Sequence, residues 1–355
     1  MMNLDQLRDE IDRIDAGIVD LLHRRAACVQ QVGQLKKQTG APLFVPERES
    51  ALFEKLRRLN GNVLPEASLE SIYRQIVSCA FKLEGGFSVA YLGPEGTWSH
   101  QAARARFGDS IELIACPSFR DVFRAVEKQQ AQYGVVPIEN SSDGSVSQAM
   151  DLFSESPLRI CAQIRQEIRN CLLCNGEREK ISKIYSHPQV LGQCRLWLRE
   201  NFPGVEQIAM SSTSAAALRA AEEAEQGAAA LGSELSGRLH GLRVMEANVQ
   251  DKANNTTRFA VIGMQQTQPT AHDRSTICFK VLHAPGTLVE VLQHFSDHRI
   301  NLLCIDSRPT RDTPWEYLFY VDVEGHRLAE PLRSCLEELK AICPVCKVLG
   351  SYPED

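Results

Sequence analysis

The amino-acid sequence predicts a multi-domain protein in which an all-α segment is followed by an α/β segment and a small α+β segment. Apolar residues near the N-terminus recur at steps of three and four, and short β-type stretches alternate with amphipathic helices along the middle of the chain. The last part has the order strand, helix, strand, strand, helix, strand. With 355 residues, the chain is also too long for one ordinary hydrophobic core.

The charge and the apolar content of the chain limit the kinds of molecule that it can bind. The net charge is −6 and there is no long basic block, which argues against nucleic acid or an anionic membrane surface. The first residues, MMNLDQLRDE, are too charged for a secretory signal. No apolar run approaches the roughly 20 residues that a bilayer span requires. We therefore expect a cytoplasmic protein without a membrane partner.

The cysteine pattern does not predict a metal site. The 12 cysteines are scattered, and the CxxC pairs Cys171/Cys174 and Cys343/Cys346 lie far apart without a histidine pair. We expect small buried thiols and no metal.

Residues 1–86 predict a helical domain. The apolar seam of its first helix consists of Leu4, Leu7, Ile11, Ile14, Ile18, Leu21, Cys28, Val32 and Leu35. This helix should end at the TGAP sequence of residues 39–42, and two further helices should run from Pro46 to Asn60 and from about Ser68 to Leu83. In the third helix, Ile72 is expected to face inward. Two short helices cannot cover so long a seam, which favours dimerisation with a second copy.

Charged residues share the face of this seam. The heptad count places Arg25 within it, and Lys36 points to the same side of the helix. Arg48 and Glu49 begin the second helix, and Glu84 follows the third. The pattern favours either a network of salt bridges between helices or a pocket for a small polyanion.

The sequence LRDEIDRIDAGIVDLLHRRAACVQQVGQLK, followed by PERE, resembles the all-helical chorismate mutase family. The resemblance implies an intertwined helical domain that rearranges chorismate to prephenate, with Lys36 and Glu84 as catalytic residues. The implied substrate-binding residues are Arg8 from the partner subunit, Arg25, Lys36, Arg48, Glu49 and Glu84. The reaction needs no nucleophile, because the protein only has to hold a dicarboxylate and stabilise charge on its ether oxygen. Arg8 and Arg25 then suit the carboxylates, Lys36 the ether oxygen and Glu49 the hydroxyl.

Residues 87–268 predict an α/β domain. FSVAYLG, YGVVPIE, KIYSH and RFAVIG are strand-like, whereas SHQAARARF, SFRDVFRAVEKQ and TSAAALRAAEEA are helix-like. The alternation favours mostly parallel strands. Polar clusters follow several strands, at the edge where such sheets bind ligands.

These clusters contain the motifs GPEGT, PIENS, HPQ, SSTS and NNTTRF. Each motif alone is typical of a helix cap or a turn, and Ser212 before AAALRA is an ordinary N-cap pattern. Together they supply neutral donors suited to an anionic organic ligand. The residues selected are Thr97, Glu139, Asn140, Ser141, His187, Gln193, Ser212, Thr213, Asn255, Thr257 and Arg258.

Together the motifs resemble prephenate dehydratase over essentially the whole segment, above all at N-x-T-R-F, residues 255–259. The resemblance implies a two-lobed fold of the periplasmic-binding type, with lobe one at 87–165 and 250–265 and lobe two at 166–249. It implies that prephenate loses water and CO2 to give phenylpyruvate. The residues selected above are implied to bind the substrate.

Thr257 is implied to hydrogen-bond or protonate the leaving hydroxyl. Because a threonine is a weak acid, Asn140, Gln193 or a water must support it. Arg258 faces the opposite side of the strand, where it either binds a carboxylate or braces the lobe.

Residues 273–355 predict a ferredoxin-like α+β domain. Its HAPGTLVEVL and INLLCIDSRP sequences resemble the ACT domain, an amino-acid-sensing module. The resemblance implies L-phenylalanine as a feedback effector at a subunit interface. The implied effector-binding residues are Gly286, Leu288, Asn301, Asp306, Ser307 and Arg308. The alternative is a purely structural dimerisation domain.

The favoured interpretation is a bifunctional mutase and dehydratase of phenylalanine biosynthesis, without a cofactor, that forms a homodimer or a higher homo-oligomer. A metabolite sensor is the first alternative, but it needs neither the Thr257 motif nor the arginine-bearing helices. The second is a mutase joined to a dehydrogenase, which requires a GxGxxG turn that the sequence lacks.

Overall fold

The computed structural model describes residues 3–142, 144–310 and 316–354. The helical domain consists of α1 (Leu4–Thr39), α2 (Pro46–Asn60) and α3 (Glu66–Leu83). Asn3 and Gln6 form a capping box at the start of α1, and Gly40 ends it in the left-handed conformation, as the TGAP sequence predicts.

The N-terminal half of α1 leaves its apolar seam exposed. Leu4, Leu7, Ile11, Ile14, Ile18 and Leu21 are between 47% and 63% exposed. The prediction that Ile72 of α3 faces inward is wrong for a single chain, because this side chain is 54% exposed. No described part of the same chain covers this surface.

The next segment forms two sheet-based lobes. Lobe one contains β1 (Ser88–Leu92), α4 (Trp98–Phe107), β2 (Glu112–Cys116), α5 (Phe119–Glu127), β3 (Tyr133–Asn140), β4 (Gly144–Ser145), α6 (Ser147–Glu155) and β5 (Arg159–Glu167). Lobe two contains β6 (Cys171–Leu173), β7 (Lys183–Ser186), α7 (Pro188–Gln193), α8 (Arg195–Asn201), β8 (Glu206–Ala209), α9 (Thr213–Glu222), β9 (Ala228–Gly232), α10 (Glu234–Leu239) and β10 (Val244–Glu246). The chain then returns to lobe one as β11 (Thr256–Gly263).

Both sheets are mixed, so the prediction of mostly parallel strands is wrong. The lobe-one order is β2-β1-β3-β11-β5, with β4 beside β3, and the lobe-two order is β10-β6-β9-β7-β8. Strands β2, β1 and β3 are parallel, but β11 runs antiparallel to both its neighbours. The reason is that β11 enters lobe one from the opposite direction after the chain has passed through lobe two.

The C-terminal domain has the predicted ferredoxin-like order. It consists of β12 (Asp273–Lys280), α11 (Thr287–Asp297), β13 (Leu302–Pro309), β14 (Tyr317–Glu324), α12 (Leu332–Ile342) and β15 (Val345–Pro353). Its antiparallel sheet has the order β13-β14-β12-β15. Trp315, which the sequence places in the third strand, lies outside the described residues.

Both flanking domains pack against lobe one. Phe44 of the helical domain lies with its ring centroid 5.1 Å from that of Phe107 and 5.2 Å from that of Tyr133. On the other side, Tyr352 joins the core cluster that contains Ile160 of β5. Lobe one therefore connects the helical domain to the ACT-like domain.

All twelve cysteine side chains are free thiols, and eight of them are buried. Among the described residues, no helix is both long and apolar enough to cross a bilayer.

Candidate active sites

The first candidate site is a pocket in the helical domain. Its cavity of about 350 Å³ falls within the usual range for small-ligand sites. The predicted residues Arg25, Lys36, Arg48, Glu49 and Glu84 all line it. The apolar lining comes from Val29, Val32, Leu52, Val77 and Phe81 among others.

Lys36 and Glu84 form an ion pair at one end of this pocket. The Lys36 Nζ lies 2.6 Å from the Glu84 carboxylate and also donates to the Leu43 carbonyl at 2.9 Å. Gly33 permits this arrangement, because a Cβ there would lie 2.6 Å from the Glu84 Cα. The missing side chain lets α1 approach the end of α3.

Arg25 and Arg48 add two guanidinium groups to the lining. Neither side chain has a hydrogen-bond or ion-pair partner among the described residues. A salt-bridge network would have given each an acid. Two unpaired guanidinium groups facing a cavity suit an anionic ligand with two carboxylates.

Glu49 is the buried acid of the pocket. It pairs with Arg74 of α3 and with Arg106 of α4, the latter at 3.2 Å, and both contacts use the Oε1 atom. The Glu49 Oε2 atom has no partner among the described residues. Sequence reasoning missed both arginines, since each lies far from Glu49 along the chain.

Arg8 lies outside this pocket in its own chain. Its side chain is 66% exposed and contacts Asp5 at 3.6 Å. A role in substrate binding from a partner subunit stays a prediction.

The second candidate site is centred on Thr257 of β11. Thr257 is buried and pairs in register with Asn140 of β3. The Asn140 Nδ2 donates to the Thr257 Oγ1 at 2.8 Å and to the Asn255 Oδ1 at 3.0 Å. Because the threonine oxygen accepts this bond, its own proton is available to a second acceptor.

A cavity between the lobes lies beside this network. The selected residues Asn255 and Gln193 line it, together with Ser142, Gln189, Gly192, Gln250, Asp251 and Lys252. Lys252 gives the cavity a cation that sequence reasoning missed. The signal was its position within the same DKANNTTRF stretch, five residues before Thr257.

The GPEGT loop joins the two lobes. Gly96 has a φ of +85°, and a Cβ there would lie 2.8 Å from the Ser214 Oγ of lobe two. Ser233 donates to the Gly96 carbonyl at 3.2 Å. Glycine is therefore required both by conformation and by close approach.

Several predicted binding residues make local contacts. Thr97, His187 and Ser212 are N-caps of α4, α7 and α9. Burial lowers the pKa of His187, whose Nδ1 accepts from the backbone of its own helix. Ser141 bonds to the backbone of Asn254 and Thr256, and Thr213 is buried beside Gly232. Thr97, His187 and Ser212 therefore have the helix-capping role that each motif alone suggested. Substrate binding by these three residues and by Ser141 and Thr213 stays a prediction.

Substrate binding by Arg258 and Glu139 stays a prediction, although these two side chains pair with each other. Strand alternation turns both side chains away from Thr257, so that Arg258 pairs with Glu139 at 2.9 Å and with Asp322 of β14. Burial lowers the pKa of Arg258, but Tyr352, Asp322 and Glu139 raise it more, so its net pKa lies above the ordinary value. Of the two alternatives for Arg258, the structure supports bracing.

The predicted effector residues fall into separate groups in one chain. Gly286 and Leu288 line a cavity at the start of α11. Arg308 instead contacts Ser147 at 2.7 Å and Asp151 at 3.4 Å on α6, and Asn301 donates to Glu324. Asp306 lies near Arg258, and Ser307 is exposed. A single chain does not bring the six residues together.

The fold and these sites define a multi-domain enzyme that acts on small organic anions. Matches to three family models cover most of the chain: Chorismate mutase type II at residues 7–85, Prephenate dehydratase at 89–267 and ACT domain at 276–341.

Known proteins give the more particular assignment. The chain is 43% identical to a bifunctional chorismate mutase/prephenate dehydratase of Aquifex aeolicus, over 100% of this chain and 99% of that protein. It is 37% identical to one of Neisseria gonorrhoeae, over 98% and 96% of the two chains. A structure of prephenate dehydratase from Arthrobacter aurescens in complex with L-Phe aligns with a TM-score of 0.70 at 29% identity, covering 75% of this chain and 90% of that one. The chain belongs to the bifunctional chorismate mutase/prephenate dehydratase family.

Proposed function

We propose that the helical pocket converts chorismate to prephenate and that the cleft at Thr257 converts prephenate to phenylpyruvate. In the pocket, Arg25 and Arg48 bind substrate carboxylates, with Arg8 of a partner subunit. Lys36 stabilises the negative charge that develops on the ether oxygen as its bond to carbon breaks. No residue forms a covalent bond with the substrate.

In the cleft, Thr257 donates a hydrogen bond to the hydroxyl that leaves the prephenate ring. The carboxylate carbon leaves as CO2, its bonding electrons complete the aromatic ring, and the hydroxyl departs as water after taking up a proton. Lys252 attracts the anionic substrate. The observation that supports this role is the Asn140 hydrogen bond, because it directs the threonine proton away from Asn140.

The test supplies the purified chain with chorismate alone. Phenylpyruvate should form without any added cofactor, and prephenate should appear as a transient intermediate. Chromatography measures both compounds over time. A chain that binds chorismate without consuming it would instead support the metabolite-sensor alternative.

We also propose that L-phenylalanine inhibits the dehydratase through the ACT domain. The solved relative with bound L-Phe and the separation of the effector residues within one chain support a site formed by two subunits. The exposed seam of α1 supports a homodimer in which the helical domains also meet. Titration with L-phenylalanine, monitored by dehydratase rate and by sedimentation, tests both proposals.

A further inference from the structure

Glu49 of the mutase pocket is held by arginines from two different domains. Its side chain is only 5% exposed, and its Oε1 accepts hydrogen bonds from Arg74 and lies 3.2 Å from the Arg106 Nη1. Arg74 belongs to the helical domain, whereas Arg106 belongs to α4 of lobe one. The mutase pocket therefore has a contact with the dehydratase domain.

Arg106 is built into this position. Its side chain is 7% exposed and lies over the ring of Phe44, with 5.5 Å between the guanidinium carbon and the ring centroid. The Arg106 carbonyl also accepts a hydrogen bond from Arg74 at 3.1 Å. Near the end of α4, the Ser78 hydroxyl accepts a hydrogen bond from the Ser110 backbone at 2.9 Å. These contacts fix the end of α4 against α3.

The two guanidinium groups have an electrostatic and a geometric consequence for Glu49. A buried carboxylate is strongly unfavourable without a charged partner. Because both arginines engage Oε1, the carboxylate rotamer is fixed and Oε2 is left without a protein partner. A hydroxyl donor in the pocket would satisfy that oxygen.

We propose that Arg106, a residue of the dehydratase domain, is a positioning residue of the chorismate mutase site. It acts through Glu49, whose carboxylate it holds oriented towards the substrate hydroxyl, and it does not itself contact the substrate. This inference rests on the proposed function of the helical pocket. The mutase site of this chain is thus completed by α4, the helix that begins directly after the GPEGT loop of the dehydratase cleft.

The test compares Arg106→Met with Arg104→Met in the full chain. Arg104 lies on the same helix and also pairs with an acid, Asp109, but its side chain is 38% exposed and Asp109, unlike Glu49, is not part of the pocket lining. Arg106→Met should lower the mutase kcat/KM on the order of tenfold, mainly through a higher KM for chorismate. Arg104→Met should stay within about twofold of the native value.

The dehydratase rate on supplied prephenate reports whether each variant is folded. Arg106→Lys keeps the charge and should recover part of the mutase loss, which covers the case in which Arg106→Met does not fold. A double-mutant cycle with Glu49→Gln separates positioning from general destabilisation. In the Glu49→Gln background, Arg106→Lys and Arg106→Met should have less than about twofold further effect on the mutase KM, because their effect passes through Glu49.

The outcomes distinguish this inference from the proposed function. A native chain without mutase activity overturns the function assigned to the pocket. A native chain with mutase activity, together with Arg106 variants that match Arg104→Met, overturns only the role of Arg106. If the Arg106 variants lose the same mutase activity in the native background and in the Glu49→Gln background, the role of Arg106 is also overturned. Arg106 would then be a purely structural residue.

Discussion

At Thr257, one hydrogen bond sets the direction of another. The Asn140 amide donates to the threonine oxygen, so the threonine proton must find an acceptor elsewhere. In the proposed reaction, that acceptor is the leaving hydroxyl of prephenate, and Asn140 orients the hydrogen-bond donor.

Asn140→Asp conserves the shape of the side chain but should strongly lower the dehydratase rate. An aspartate accepts the threonine proton, so the dehydratase kcat should fall on the order of a hundredfold. The neighbouring Asn254→Asp is the control, because Asn254 is exposed and should stay close to the native rate. Steady-state assays with prephenate measure both; equal rates in the two variants would refute the role of Asn140.

The sequence selected Thr257 and offered Asn140, Gln193 or a water as its support, because Thr257 and Asn140 belong to motifs with fixed positions on strands. It did not show which face of β11 the third domain covers. Arg258 and Glu139 were therefore selected as binding residues, although Arg258 pairs with Glu139 and with Asp322 of β14. Arg74 and Arg106 were missed because their contact with Glu49 is purely tertiary.

At the scale of elements, β11 links the cleft to the ACT domain. Thr257 belongs to the Asn140 hydrogen-bond network beside the cleft, while Arg258, the next residue, pairs with Asp322 of β14. Asp322 also accepts from Thr276 of β12 at 2.6 Å. The buried Arg258–Asp322 contact therefore joins the ACT sheet to the strand that carries Thr257.

Asp322→Asn should weaken inhibition by L-phenylalanine several-fold without removing the basal dehydratase activity. The amide keeps the shape but removes the charge that pairs with Arg258, so the two domains are less strongly coupled. Asp297→Asn, an exposed acid of α11, is the control. Inhibition curves measured on both variants test this, and an unchanged curve for Asp322→Asn would contradict it.

His326, in the segment between β14 and α12, gives a pH dependence of stability. Its side chain is 2% exposed, and burial lowers its pKa. The unfolded chain binds a proton at this position below about pH 6.5, whereas the folded chain resists protonation. Stability should therefore be full above that pH and should fall as the pH drops below it.

The test is the thermal midpoint of the chain measured as a function of pH. His326→Gln should flatten the decrease below about pH 6.5, while the exposed His272→Gln should leave it unchanged. The same slope in the native chain and in His326→Gln would refute this assignment.

The helices and strands were predicted accurately where the periodicity of apolar residues was strong. The prediction failed where the path of the chain determines the direction of a strand. The three helices and the strand order of the ACT domain follow from the pattern. Strand β9, with the sequence AAALG, has no β-branched residue and was not predicted. The antiparallel direction of β11 depends on the path through lobe two, which local sequence does not encode.

At the scale of the whole molecule, the exposed seam of α1 is the surface proposed for dimerisation. Ile14→Asp should shift the chain towards monomer and lower mutase activity, because the proposed contact of Arg8 with the pocket comes from a partner subunit. Ala16→Asp places the same charge on the opposite face of α1 and should preserve both properties. Sedimentation velocity and the mutase rate measure the outcome; an unchanged assembly for Ile14→Asp would exclude this interface.

The central claim is that two separate sites in one chain act in sequence, the second through Thr257. The most direct measurement is the product distribution of Thr257→Ala supplied with chorismate. Prephenate should accumulate at the native mutase rate, and phenylpyruvate formation should fall at least about a hundredfold. Phenylpyruvate formed at the native rate would contradict the claim, as would loss of both activities in a folded variant.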